Sequence, residues 1–154
     1  AKNREQDLCY VICGEGDKKG ELLELASELG IRERLILAGY RCDIKEILKA
    51  ADVFVFPSFH EGLAVSMMEA MAAGLPVVCS RIRGNVDLIE EGKGGYLFAP
   101  SDDEALGRAL DKILEDRSLA KKMGAHNKKV VQNYSFQKVY EETERIYRKV
   151  LGTV

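Results

Sequence analysis

Short apolar runs alternate with amphipathic stretches along the first two thirds of this chain of 154 residues. A continuous apolar run that ends at glycine or proline predicts a strand, and apolar residues at helical spacing predict a helix. The predicted strands are 8–13, 35–38, 53–57, 76–79 and 96–98, with helices at 17–29, 43–51, 63–73 and 86–91. The first run has no polar alternation, which is typical of a strand buried on both faces. Because the connections are short, the pattern predicts a doubly wound α/β domain with a parallel sheet between helices.

The last third of the chain is predicted to be helical throughout. Ser101-Asp102-Asp103-Glu104 is a capping box that opens a helix to about residue 114, because side-chain oxygens there can accept free N–H groups of the first turn. From Ser135 onward, apolar residues recur on one face of a long C-terminal helix.

Composition and charge indicate a single folded domain that spans residues 1–154. Hydrophobic residues make up 46% and charged residues 31%, which argues against disorder. The net charge of −2 gives no long-range attraction to nucleic acid, so we expect no nucleic-acid partner. No apolar stretch approaches the roughly 18 residues of a membrane span, and residues 1–7 are charged, unlike a signal peptide. We therefore expect a cytoplasmic protein, and the lack of an initial Met suggests a piece of a longer one.

Cysteines and histidines do not form a metal motif in this sequence. Cys9, Cys13 and Cys79 lie in apolar stretches and are interpreted as small core residues in a reducing compartment. His60 and His126 are far apart and lack ligand spacing, so no metal site is expected.

Ligands of open parallel sheets bind beyond the carboxyl ends of the strands, so the loops there carry the functional signal. The loop 14–20 nearly forms a dinucleotide fingerprint, but Lys19 stands where the third glycine is required. Gly92-Lys93-Gly94 is not followed by Ser or Thr, which excludes a Walker phosphate loop. A dehydrogenase and a P-loop ATPase are therefore both disfavoured.

The segment after the third strand is the most unusual part of the chain. Glu69 is the only charge in the predicted helix 63–73, and a buried carboxylate needs a partner or a ligand. The helix follows a glycine turn, and its free N–H groups favour a phosphate. Glu61 lies eight residues earlier, roughly 12 Å along a helix axis, which is too far for an acid/base pair on one bond. The two carboxylates could instead bind the two ends of one elongated ligand.

Structural alternatives exist for each of these residues. Glu61 could complement the helix dipole, and Glu69 could face outward on a partly buried helix. His60 is either a functional ring or a solvated one. Tyr40-Arg41 after the second strand could contact a base or lie in a solvated loop, and Arg81 and Arg83 could lend charge to phosphates or be solvated.

Several motifs together resemble a known family. They are Phe56-Pro57-Ser58, Glu61-Gly62, Glu69-Ala70-Met71-Ala72 and Gly74-Leu75-Pro76-Val77-Val78, with further likeness at 11–16, 50–53 and 95–98. This set resembles the E-x7-E region of family-four glycosyltransferases, which are retaining enzymes of GT-B fold. The resemblance implies a Rossmann-like, C-terminal, donor-binding domain of a two-domain enzyme that transfers a sugar from a nucleoside diphosphate, with surface polysaccharide synthesis as the expected setting.

The resemblance also implies roles for individual residues. Glu61 would contact the donor sugar as the catalytic residue and Glu69 the ribose, while the backbone of Gly62, Leu63 and Ala64 would meet the sugar and diphosphate. Gly14, Arg41 and His60 are further donor-binding candidates. No metal or cofactor is expected besides the sugar-nucleotide substrate. Gly62-Leu63-Ala64-Val65 replaces the family's usual Gly-Phe-Gly-Leu-like turn, which leaves the sugar open.

Two pieces of the family's architecture are expected to be missing. They are the N-terminal acceptor domain and the opening strand, whose loop carries the basic residues that clamp the diphosphate. Strand 8–13 should then pair directly with strand 53–56, or another chain should fill the edge, so self-association of the fragment is expected. The acceptor could lie on a membrane surface. The alternatives are a non-catalytic sugar-nucleotide-binding module and a fragment of a sugar-nucleotide 2-epimerase.

Overall fold

The computed structural model describes residues 8–152, so the charged residues 1–7 and the last two residues lie outside it. The chain divides after residue 44 into two compact units, which are described separately.

The first unit contains a two-stranded parallel sheet. Its strands are β1 (Tyr10–Cys13) and β2 (Leu35–Gly39), joined by helix α1 (Lys19–Glu28) and a 3-10 turn at Arg32–Arg34. Among the described residues of this unit, only Ala26 and Leu35 are buried. The expectation that strand 8–13 is buried on both faces is therefore wrong, since Tyr10 is 49% and Val11 41% exposed. Cys9 and Cys13 are exposed as well, so only Cys79 is the core thiol that the sequence predicts.

The second unit has a three-stranded parallel sheet in the order β3, β4, β5. These strands are Phe54–Phe56, Val77–Ser80 and Gly95–Phe98. The helices are α2 (Ile44–Ala50), which spans the division, α3 (Val65–Ala73), α4 (Asn85–Leu88), α5 (Asp103–Glu115), α6 (Arg117–Val131) and α7 (Phe136–Leu151).

The central strand β4 separates two apolar clusters. Val77 and Cys79 pack with Met67 and Met71 of α3, whereas Val78 packs with residues of β5, α5 and α6. All four residues of β4 are buried, and side chains of a strand alternate between its faces. Helices therefore cover both faces of this sheet, which confirms the predicted α/β class. Complete burial of a methionine such as Met67 contributes about 1.5–3 kcal/mol to folding.

The direct pairing predicted between strands 8–13 and 53–56 is absent. Within the described residues β1 pairs with β2 alone and β3 with β4 alone. The other alternative, an edge filled by another chain, stays a prediction.

A side chain caps the first turn of α5 and of α7. Asp102 accepts the N–H of Ala105 at 2.8 Å, and Ser135 accepts that of Lys138 at 3.4 Å. No residue of α7 is buried, and its predicted apolar face is open, with Phe136 86% and Val150 78% exposed. No helix within residues 8–152 has the length and apolar character needed to cross a membrane.

Candidate functional site

The loop between β3 and α3, residues 57–64, is here called the Glu61 loop. It ends at Ala64, whose extended backbone precedes the first helical residue, Val65. No side chain caps this helix start, and Leu63 and Val65 are 49% and 64% exposed. The first N–H groups of α3 therefore present partial positive charge without a side-chain acceptor, as an anion site requires.

Glu61 and Glu69 stand on either side of this helix start along the chain. Glu61 is half-buried in the loop, and neither carboxylate has a hydrogen bond or ion pair with another residue of 8–152. Glu69 is exposed, which confirms the alternative that it faces outward on a partly buried helix and rules out a buried charge. The reason is that α3 buries Met67, Ala70 and Met71, and Glu69 lies on the other side of the helix.

Only part of the predicted separation of the two glutamates is helical. The helix begins at Val65, so the four residues from there to Glu69 rise roughly 6 Å along the axis. Residues 61–64 are irregular, and the estimate of 12 Å along a continuous helix does not apply.

The Glu61 loop rests on the connection between β4 and α4. The Ser80 hydroxyl, fully buried at the end of β4, donates a hydrogen bond to the carbonyl of Ser58. Asn85, also fully buried, donates from its amide to the Ser80 carbonyl at 2.9 Å and to the Ser80 hydroxyl at 3.3 Å. Gly84 lies directly under Gly62, where an added Cβ would meet the Gly62 carbonyl oxygen at 1.8 Å.

Sequence reasoning missed these three residues and considered only the arginines of the same connection. The sequence offered only a weak signal, a serine directly after the predicted strand 76–79 and Gly84-Asn85 in the turn that follows. In the structure Gly84 has φ of +88°, which favours glycine. Arg81 pairs with Glu91 at 2.5 Å, and Glu91 also accepts the N–H of Leu97 at 3.2 Å. Arg83 is exposed and has no ion pair with a described residue.

Two predicted site residues belong to the first unit. Gly14 follows β1 with φ of +131°, and its N–H donates to the Gly39 carbonyl at 2.8 Å. Arg41 follows β2 and makes a two-bond ion pair with Asp43, at 2.7 Å and 2.5 Å. The Arg41 guanidinium lowers the pKa of the Asp43 carboxyl.

His60 lies in the Glu61 loop and is exposed, without a hydrogen bond or ion pair to any residue that the structure describes. Gly62 and Leu63 are exposed beside it, and Ala64 is buried. The predicted residues 60–64 and 69 thus share one loop and the helix that follows it. Residues 8–152 contain no group of three His, Cys, Asp or Glu side chains that could hold a metal ion.

Known proteins resemble this chain along nearly its whole length. A family model described as glycosyl transferases group 1 matches residues 1–130. A UDP-Gal:alpha-D-GlcNAc-diphosphoundecaprenol alpha-1,3-galactosyltransferase of Escherichia coli is 32% identical over 92% of this chain and 37% of its own length. The putative glycosyltransferase EpsD of Bacillus subtilis is 31% identical over 95% of this chain and 38% of its own. This chain thus spans less than two fifths of the length of these relatives.

Solved structures share the fold. A mutant of S. aureus TarM, solved with UDP, alpha-GlcNAc-glycerol and fondaparinux, has a TM-score of 0.85 and 25% identity over 94% of this chain and 30% of its own. HepE of Anabaena, solved with UDP, has a TM-score of 0.82 and 22% identity over 94% of this chain and 41% of its own. With the family model covering residues 1–130, the chain belongs to the group 1 glycosyl transferases, whose solved relatives have the GT-B fold.

Proposed function

We propose that this chain binds a nucleoside-diphosphate sugar and forms the donor half of a retaining glycosyltransferase. The observation that carries the proposal is the uncapped, exposed start of α3 lying between two carboxylates that have no partner among the described residues. A diphosphate suits the helix start because the peptide dipoles and free N–H groups favour negative charge there. Hydroxyl groups suit the carboxylates, which can only accept hydrogen bonds.

Each part of the ligand then has an assigned residue. The ribose hydroxyls bind Glu69, the diphosphate meets the backbone from Gly62 to Ala64, and the donor sugar contacts Glu61. The half-buried position of Glu61 supports a role near the reacting sugar, because a carboxylate removed from water interacts more strongly with developing charge. His60, Gly14 and Arg41 stay proposed donor contacts, and Arg41 would have to release Asp43 to reach a base.

The names of related proteins support a uridine nucleotide and a saccharide acceptor. HepE and TarM were solved with UDP, and the E. coli relative is named for UDP-Gal and a diphosphoundecaprenol-linked acceptor. We therefore propose a UDP-sugar donor and an acceptor of surface polysaccharide synthesis, presented at the cytoplasmic membrane surface to a cytoplasmic enzyme. The acceptor site belongs to an N-terminal domain outside this chain.

The reaction is proposed to need no metal and no further cofactor. The positive end of α3 would take the role that a divalent cation has in other phosphate sites.

Titration of the complete gene product with UDP, GDP and ADP tests donor binding by calorimetry. UDP is expected to bind most tightly, with an affinity unchanged by EDTA. Release of UDP from UDP-glucose, UDP-galactose and UDP-N-acetylglucosamine then identifies the sugar. Binding without any turnover, even with lipid-linked saccharide acceptors, would favour a non-catalytic binding module, and no nucleotide binding would refute the proposal.

A further inference from the structure

A buried polar network connects the Glu61 loop to the end of β4. Ser80 and Asn85 are both 0% exposed, and the Ser80 hydroxyl donates a hydrogen bond to the Ser58 carbonyl, with the Phe56 carbonyl a second acceptor at 3.5 Å. Water does not compete for these buried groups, so their hydrogen bonds restrict the geometry more than exposed ones would.

Each hydrogen bond of the network has one possible donor, which fixes the orientation of the Ser80 hydroxyl. The Asn85 amide donates to both oxygens of Ser80, at 2.9 Å and 3.3 Å. The Ser80 hydroxyl oxygen thus accepts from Asn85, and its single O–H donates to the nearer of two acceptors, the Ser58 carbonyl rather than the Phe56 carbonyl. Without the Asn85 amide, the hydroxyl would be able to turn from Ser58 toward the Phe56 carbonyl.

Gly84 supplies a second contact further along the same loop. Its Cα lies so close to the loop backbone that an added Cβ would meet the Gly62 carbonyl oxygen at 1.8 Å and the Glu61 carbonyl oxygen at 3.1 Å. The loop is thus supported on both sides of Glu61, at Ser58 by a hydrogen bond and at Gly62 by backbone contact.

The supporting connection is itself anchored in the sheet. The N–H of Arg81 donates to the Phe98 carbonyl at 2.7 Å, and that of Ile82 donates to the Ser80 carbonyl at 3.0 Å. The pairing of Arg81 with Glu91 adds a third tie. The bond from Arg81 to Phe98 ties the start of the connection to β5, the Ile82 bond closes a local turn, and the exposed ion pair contributes little.

We infer that Ser80, Asn85 and Gly84 are positioning residues for the sugar-contacting Glu61, an inference that rests on the proposed function of that loop. They touch no substrate. Their role is to hold the loop backbone, because an error of about 1 Å in a reacting group can cost about a hundredfold in rate.

Two variants of the complete gene product test this role separately from general stability. Ser80→Ala removes the hydroxyl that holds Ser58, and Asn85→Ala removes the amide that orients it. A matched control is Asn127→Ala, because Asn127 is 1% exposed and its amide also donates to two carbonyls, those of Leu75 and Gly94. Those carbonyls precede β4 and β5, at the amino-terminal end of the parallel strands, whereas the Glu61 loop follows the carboxyl end of β3.

The rate of chymotrypsin cleavage after Phe59, which is 62% exposed in the Glu61 loop, is the first measurement. Ser80→Ala and Asn85→Ala are expected to speed this cleavage about tenfold, because loss of one buried hydrogen bond loosens the loop, and Asn127→Ala is expected to leave it unchanged. Unchanged cleavage in both test variants, or equal changes in the control, overturns the inference. Ser80→Ala carries the test alone if Asn85→Ala does not fold.

UDP release from the UDP-sugar that the wild type turns over is the second measurement. Turnover is expected to fall about tenfold in both variants while UDP affinity changes less than about threefold, because the loop acts on the sugar. Equal losses in turnover and UDP affinity would also overturn the inference. A wild type that turns over no sugar nucleotide refutes the proposed function instead, and the cleavage measurement still decides whether these residues hold the loop.

Discussion

Glu69 is an exposed carboxylate on a helix whose other exposed residues are uncharged, and its proposed partner is a ribose. Glu69→Gln should weaken UDP binding by about 1–3 kcal/mol, the usual loss for a hydrogen bond to a charged group, without destabilising the fold. Calorimetry on the complete gene product measures this effect. Asp111→Asn is the matched control, since Asp111 is an exposed helical carboxylate with no ion pair to a described residue. Equal affinity in wild type and Glu69→Gln would contradict the assignment.

Replacement of Glu61 should lower turnover much more than it lowers nucleotide affinity. If it contacts the sugar, Glu61→Ala depresses kcat far more than it changes the Kd for UDP, because the lost contact acts on the reacting group. Steady-state kinetics beside UDP titration compares the two quantities. A Glu61→Ala enzyme with wild-type kcat would show that the loop carries no catalytic carboxylate.

Burial of the Cys79 thiol makes the free energy of unfolding decrease at alkaline pH. Burial, followed by the nearby Glu91 charge, raises the pKa of the Cys79 thiol from 9.0 to about 12. The unfolded chain then loses this proton at lower pH than the folded chain, so the contribution is complete below pH 9 and is lost as the pH rises toward 12. The stability difference between wild type and Cys79→Ala should therefore shrink over that range, by at most about 1.4 kcal/mol per pH unit. Urea denaturation measures the difference, and a constant value would contradict the assignment.

Single residues show where sequence reasoning succeeds and where it fails. The motif of Glu61 and Glu69 was visible because charges are rare in that segment, but the exposure of Glu69 depends on which side of α3 meets the sheet. Cys9 and Cys13 lie in an apolar run as Cys79 does, yet they are exposed because β1 has few packing partners within its own unit. Ser80 and Asn85 gave little signal, since their role depends on contacts across the chain.

Helices α3 and α6 pack closely through glycine. An added Cβ at Gly124 would meet the Gly74 carbonyl oxygen at 1.9 Å. Gly124→Ala should therefore destabilise the protein by about 1–3 kcal/mol, because backbone cannot move aside as a side chain can. Gly107→Ala in α5 is the control, since nothing lies within 4 Å of its Cβ position, and it should stabilise by about 0.5–1 kcal/mol. Chemical denaturation should show that the two substitutions change the free energy of unfolding in opposite directions. Changes in the same direction would refute the packing argument.

At the level of elements, all five predicted strands are present within a few residues of their predicted bounds. Periodicity identifies them because each is a short apolar run ended by glycine, proline or a polar turn. Periodicity does not identify the neighbours of a strand, because a parallel partner is reached through a crossover connection, and this is why the alternative of a direct β1–β3 pair was wrong. The position of the cap of α5 was harder to predict than its presence. The predicted capping box starts at Ser101, but the capping residue is Asp102, and Ser101 lies before it with φ of +68°.

At the scale of the whole molecule, the open apolar face of α7 should drive association of the 154-residue chain when it is made alone. Exposed apolar patches of this kind usually mark a covered surface. Light scattering of the purified chain should report oligomers, and Phe136→Ser with Val150→Ser should reduce them. The same chain is expected to show no transferase activity and weak UDP binding, because the clamp loop and the acceptor domain are expected to lie elsewhere. A monodisperse, active monomer would contradict both expectations.

Asn127 also bears on the order in which the second unit folds. Its amide joins Leu75 and Gly94, which lie 52 and 33 residues away in sequence. Contacts that close such long loops cost chain entropy before they contribute energy, and they form after the more local pairing of strands with their own helices. We therefore expect the Asn127 bridge to be a late contact, whose loss would speed unfolding more than it slows folding.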